Sequence, residues 1–122
     1  MNWKWRFAGL KTNKGNVLKD FLSKDTGLQA RVDAFLLRLQ IMPIPWPSTY
    51  YDGSLGGGIG ELRVDYKKVE YRFYGFFGPG SQQFTVIVAS GDKKRQQGTI
   101  NAAKKLRSSI DVSTCAVEDY DV

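Results

Sequence analysis

The residues best suited to chemistry in this chain are cations. The stretch "ASGDKKRQQGT", residues 89 to 99, ends a strand-like run and then sets Lys93, Lys94 and Arg95 in a row with no acid among them. Such a run is either a solvated loop or a seat for an anion. Phosphate is the natural candidate, because ammonium and guanidinium groups make charge-assisted hydrogen bonds to its oxygens. Two further cations, Arg63 and Arg72, lie in neighbouring strand candidates. If Lys67 and Lys68 form the turn of an even-length hairpin, Tyr66 opposes Val69, Asp65 opposes Glu70, and Arg63 sits directly opposite Arg72. Like charges facing each other cost a strand pair about 0.2–1 kcal/mol. An anion bridging the two arginines would offset that cost. So would diagonal pairing within the sheet, Arg63 with Glu61 or Glu70 and Arg72 with Asp65.

Several chemistries are excluded by what the chain lacks. It contains no histidine, which removes His-based triads, a His general base and most zinc sites. Cys115 is the single cysteine, so no intrachain disulfide forms, as expected in a reducing compartment. Neither a metal nor a small-molecule cofactor is expected. The net charge of +6 over 122 residues favours an acidic partner: nucleic acid, an acidic protein or a membrane surface. No apolar run approaches the roughly 18 residues a membrane span needs. The opening "MNWKWRFAGL" also lacks the apolar core of a signal peptide, so a cytoplasmic location is expected.

The elements that must position these cations are legible from periodicity. Trp3, Trp5 and Phe7 alternate with Lys4 and Arg6 over residues 3 to 10, a half-buried strand. A helix follows from Asn16, with Val17, Leu18, Phe21 and Leu22 on one face. Asp25 or Thr26 caps a second helix, whose stripe is Leu28, Val32, Phe35, Leu36 and Leu39; "MPIPWP" ends it. The connector "STYYDGSLGGGIG" contains three consecutive glycines, which imply flexibility or a close backbone approach. No "GK[ST]" follows, and the run leads into a strand, so a phosphate-binding P-loop is not expected. Three strands then form a meander, residues 60–66, 69–77 and 83–90, with "GPGS" as a turn. Leu62, Val64, Tyr66, Val69, Tyr71, Phe73, Phe84, Val86 and Val88 share its core face. Glu61, Arg63, Asp65, Glu70, Arg72 and Tyr74 occupy a polar face expected to be open. The last helix carries Ile100, Ala103, Leu106 and Ile110. It starts either just after Asp92, with the cations in its first turn, or at Thr99. A single domain over residues 1–110, with an acidic tail over 111–122, is the expected organisation.

This order of elements, with "LGGGIGELRVDY", "EYRFY" and "VASGDKKRQQGTINAAKKLRS", resembles the RelE/ParE toxin superfamily, in its HigB-like "addiction module killer" branch. The likeness runs over most of residues 3 to 108. It implies an α+β, RelE-like fold: an N-terminal strand, a helical hairpin, a three-stranded antiparallel meander and a C-terminal helix. It also implies a type II toxin with a cognate antitoxin protein, and in the RNase members a metal-independent endoribonuclease that cuts mRNA on the translating ribosome. A ParE-like toxin that binds DNA gyrase without catalysis, and a decayed phage or mobile-element relative, are the alternatives. Carried over by motif, Arg63, Arg72, Lys93 and Lys94 are the candidate catalytic residues, with Lys67, Lys68, Tyr74 and Arg95 as RNA contacts. The family's tyrosine on the last helix has no counterpart near Thr99, which leaves Tyr74, Glu61 or Asp65 to act as base.

Overall fold

The computed structural model describes residues 4–92 and 94–122. Trp3 and Lys93 lie outside the described residues. The fold is α+β, an open sheet with helices on both faces. In chain order the elements are β1 (Arg6–Thr12), β2 (Gly15–Asn16), α1 (Val17–Leu22), α2 (Thr26–Gln40), β3 (Tyr51–Asp52), β4 (Gly60–Tyr66), β5 (Val69–Phe77), β6 (Gln83–Asp92), α3 (Gln97–Ser108) and β7 (Val117–Tyr120). The sheet order is β2-β1-β6-β5-β4-β3, with β7 also paired to β1. The meander β4-β5-β6 is antiparallel, and β1 lies parallel to β6.

Local chemistry accounts for the helix starts. The Asn16 side chain accepts from the Leu18 and Lys19 amides and caps α1; Asp25 does the same for α2 through the Leu28 amide. The α2 stripe is buried at Leu28, Val32, Phe35, Leu36 and Leu39, as its 3.6-residue spacing predicts. It packs with α1 residues Leu18 and Leu22 onto Phe7, Leu62, Val64, Phe73, Phe84 and Val86 of the sheet.

The β4–β5 register is the one read from the sequence: Tyr66 faces Val69, Asp65 faces Glu70 and Arg63 faces Arg72. Lys67 and Lys68 turn the hairpin at φ +51° and +65°, the doubly positive conformation of a tight turn whose twist matches the strands.

Three expectations are corrected. The polar face is not open. α3 covers much of it, and Tyr74, Phe76, Ile87, Ile100 and Ala103 form a second buried cluster there. The run "FTVI" is buried on both parities, a mark of two-sided packing. Second, Val88 does not share the face of Phe84 and Val86. The β5–β6 pairing slips at Tyr74/Gly75, where Tyr74 faces Val88 but Gly75 faces Val86. Ile87 is the extra residue of this bulge, and Val88 turns toward α3 while Ala89 joins the α1–α2 side. Third, the acidic tail is part of the sheet: β7 pairs antiparallel with β1, and Tyr120 is buried and donates to Asp33 Oδ1 at 2.6 Å.

The glycine-rich connector makes the close backbone approach. Leu55 and Ile59 pack into the α3-side cluster, and Gly56, Gly57 and Gly58, all at positive φ, pass over α3 between them. A Cβ at Gly57 would stand 2.7 Å from Lys104 Cγ, so glycine lets the loop lie on the helix.

Candidate functional site

The α3 side of β4 and β5 changes character along its length. On β5, Phe76 and Tyr74 lie in the cluster under α3, and Arg72 and Glu70 continue toward the hairpin. On β4, Glu61 faces Tyr74 and Arg63 faces Arg72. Where the apolar cluster ends, an ionic one begins, centred on Glu61.

Glu61 is fully buried and is approached by three guanidiniums. Arg95 Nη1 lies 3.2 Å from Glu61 Oε1, and Arg63 Nε is 3.8 Å from the same oxygen. Arg72 Nε stands 4.0 Å from Oε2. Two outer carboxylates complete the set. Glu70 Oε1 meets Arg72 Nη2 at 2.9 Å, and Asp52 Oδ2 meets Arg95 Nη1 at 3.2 Å. The anion that the facing arginines call for is therefore built into the chain. Of the two diagonal partners proposed for Arg63, Glu61 is the one in contact, whereas Arg72 pairs with Glu70 and Glu61 rather than Asp65.

Each partner is held by its own element. Asp52 is fixed by the Ser54 amide and hydroxyl at 2.8 and 2.6 Å. These hydrogen bonds, with Arg95 as a smaller contribution, hold its carboxyl below the usual range. Its neighbour Tyr51 anchors β3 by packing on Trp46, Phe77 and Phe84. Arg63 donates to the Ser48 carbonyl, and its amide donates to Tyr50 O at 2.9 Å. Arg72 Nη1 donates to Asp92 O, tying β5 to the end of β6. Glu61 raises the already high proton affinity of Arg95.

The candidate residues divide by exposure. The Arg63 side chain is 28% exposed and that of Arg95 40%, whereas Arg72 shows only 6%. Lys94, Lys67 and Lys68 are exposed, and Lys94 makes no ion pair among the described residues. Lys67 and Lys68 sit at the hairpin tip, and Lys67 lies over the Tyr66 ring. Lys93 lies outside the described residues. Tyr74 is corrected: it is fully buried under α3, so it presents no surface to RNA. Burial and the adjacent Glu61 push its hydroxyl well above the ordinary tyrosine value, the wrong direction for a base. Glu61 is likewise sealed from solvent, and Asp65, though exposed, lies toward the hairpin end.

The cations do not open α3. That helix begins at Gln97 with Gln96 as its cap residue, so Lys94 and Arg95 precede it and Gly98 falls in its first turn. Neither starting point read from the sequence holds, and among the described residues no cation lies in the first turn of α3. Asp52 is the site residue that sequence reasoning missed. Its bond to Arg95 spans 43 residues, and no local pattern signals it. No group of three or more metal-ligating side chains occurs among the described residues. No helix of the described residues is long and apolar enough to cross a membrane.

Comparison with family models, curated proteins and solved structures finds no match to this chain.

Proposed function

We propose that this chain is a toxin of a type II toxin–antitoxin system, of the RelE/ParE superfamily and its HigB-like branch, with a RelE-like fold. It acts in the cytoplasm as a metal-independent endoribonuclease on mRNA at the ribosome and is neutralised by a cognate antitoxin protein. One observation carries the reading: Arg63 and Arg95, from β4 and from the loop before α3, converge on Glu61 and keep part of their guanidiniums in solvent. With exposed Lys94 next to Arg95 in the chain, they offer fixed cations to an RNA phosphate and to the charge that builds on it as a 2′-hydroxyl attacks. The element order agrees with what the motif likeness implies.

The roles shift within this reading. Arg63, Arg95 and Lys94 contact the substrate, and Lys67 and Lys68 extend the basic edge along the hairpin. Arg72 works from behind, through Glu61 and Glu70. The ribosome supplies the orientation of the hydroxyl.

A second reading, a ParE-like toxin that binds DNA gyrase without catalysis, is favoured by one observation. Of the three groups on this face that could serve as base, Tyr74 and Glu61 are fully buried. Induction of the wild type and of an Arg63→Ala/Arg95→Ala variant separates the two. Translation arrest with mRNA cut inside codons, lost in the variant, supports the RNase; DNA-damage signalling with intact mRNA supports gyrase binding.

A further inference from the structure

We propose that Glu61 and Asp52 are positioning residues, two carboxylates that hold Arg63 and Arg95 side by side as one seat for a phosphodiester of single-stranded RNA. This rests on the RNA reading above and adds to it a sign that charge alone would not give: removing either carboxylate weakens the binding of a polyanion.

Arg63 Nε and Arg95 Nη1 both lie within 3.8 Å of the same oxygen, Glu61 Oε1. Two guanidiniums this close repel each other unless an anion stands between them. Their separation is at most the two distances added together. Arg63 Nε is buried and Arg95 Nη1 is taken by Glu61 and Asp52, so a phosphate bridging the pair takes its N···O bonds of about 2.8 Å from the exposed parts of the two guanidiniums. Glu61 is sealed from water and cannot itself touch RNA, whereas both arginines keep an exposed part. Among the described residues Glu61 accepts one hydrogen bond from these arginines, from Arg95 Nη1 to Oε1 at 3.2 Å. Arg63 Nε, Arg72 Nε and Glu61 Oε2 are buried without a hydrogen-bond partner, so charge is what links these three atoms. Asp52 fixes Arg95 from the other side and is itself fixed by Ser54. Arg72, occupied by Glu70 and the Asp92 carbonyl, supplies the charge that keeps the Glu61 carboxylate facing the seat.

The test is the binding of a short oligouridylate to the full chain over a series of salt concentrations, with a melting curve for each variant. Arg38→Ala, an exposed arginine on α2, controls for the general charge of the protein. Arg63→Ala and Arg95→Ala are expected to weaken binding and to lower the salt slope by about 0.7 each, one phosphate contact for a single strand. Asp52→Asn is expected to weaken binding several-fold at an unchanged melting temperature, and Glu61→Gln to weaken it more. If Glu61→Gln does not fold, Asp52→Asn, on the partly exposed rim, decides alone. Weakened binding in the arginine variants with equal or tighter binding in the carboxylate variants overturns the positioning role and leaves the RNA reading standing. Arginine variants that bind like Arg38→Ala overturn both.

Discussion

Arg63 and Arg72 stand directly opposite each other in the β4–β5 ladder, and both guanidiniums reach the same buried carboxylate, Glu61. The like-charge pair is thus neutralised from within, by the residue two positions before Arg63 on its own strand. The two arginines nevertheless differ in what they can do. Arg63 keeps part of its surface in solvent, whereas Arg72 is sealed between Glu61, Glu70 and the Asp92 carbonyl.

That difference predicts opposite mutant phenotypes. Arg72→Ala takes one of three guanidiniums from buried Glu61 and the close partner from Glu70, and is expected to cost about 1–3 kcal/mol, the usual penalty for stripping a buried polar group of a partner. Arg63→Ala removes a partly solvated group and is expected to cost clearly less. Urea unfolding of the two variants checks the order.

Lys94 is exposed and precedes α3 without an ion pair among the described residues. Lys94→Ala is expected to shift stability by no more than about 0.5 kcal/mol. It is also expected to lower the salt slope of RNA binding by about 0.7. A fall in melting temperature alongside the loss of binding would mark the loop as structural.

The C-terminal strand is expected to be needed for a stable fold. A chain ending at Ala116 loses the β1–β7 ladder, the buried Tyr120 ring and its hydrogen bond to Asp33. It is expected to be recovered largely insoluble, or to melt well below the full chain. Thermal unfolding of the truncated protein decides this.

Alkaline pH should unfold the protein through its tyrosines. Burial, with help from Asp33, pushes the Tyr120 hydroxyl from 10.0 to about 12, and burial raises Tyr74 as well. A folded-state value above the unfolded one means that stability is fully present below pH 10 and falls as pH rises toward 12. Tyr120→Phe is expected to remove part of that fall, while losing about 1 kcal/mol at neutral pH with the Asp33 hydrogen bond. Urea midpoints measured from pH 8 to 12 test both statements.

Much of this arrangement was legible in the sequence. Alternation and the even-length turn at Lys67 and Lys68 give the Arg63–Arg72 pairing. The 3.6-residue stripe gives the buried face of α2. What escaped was the second face of the sheet. Its signals were the unbroken apolar run at Val86, Ile87 and Val88, which breaks strict alternation, and the large side chains Tyr74 and Phe76 on the nominally polar parity. Both indicate a cover on that side, which α3 supplies. The bulge at Ile87 then inverts Val88, because one extra residue flips every side chain beyond it. The Glu61–Arg95 and Asp52–Arg95 pairs join residues 34 and 43 positions apart, and only the folded sheet brings them together.

The central claim, that Arg63 and Arg95 act on RNA as fixed cations, is tested most directly by mapping the 5′ ends of ribosome-associated mRNA after induction of the wild type and of Arg63→Ala/Arg95→Ala. The account predicts new ends inside codons with the wild type, reduced about 100-fold or more in the variant, the scale of losing a charge-stabilising donor. Arrested growth with intact mRNA, or the same ends from both proteins, would contradict it.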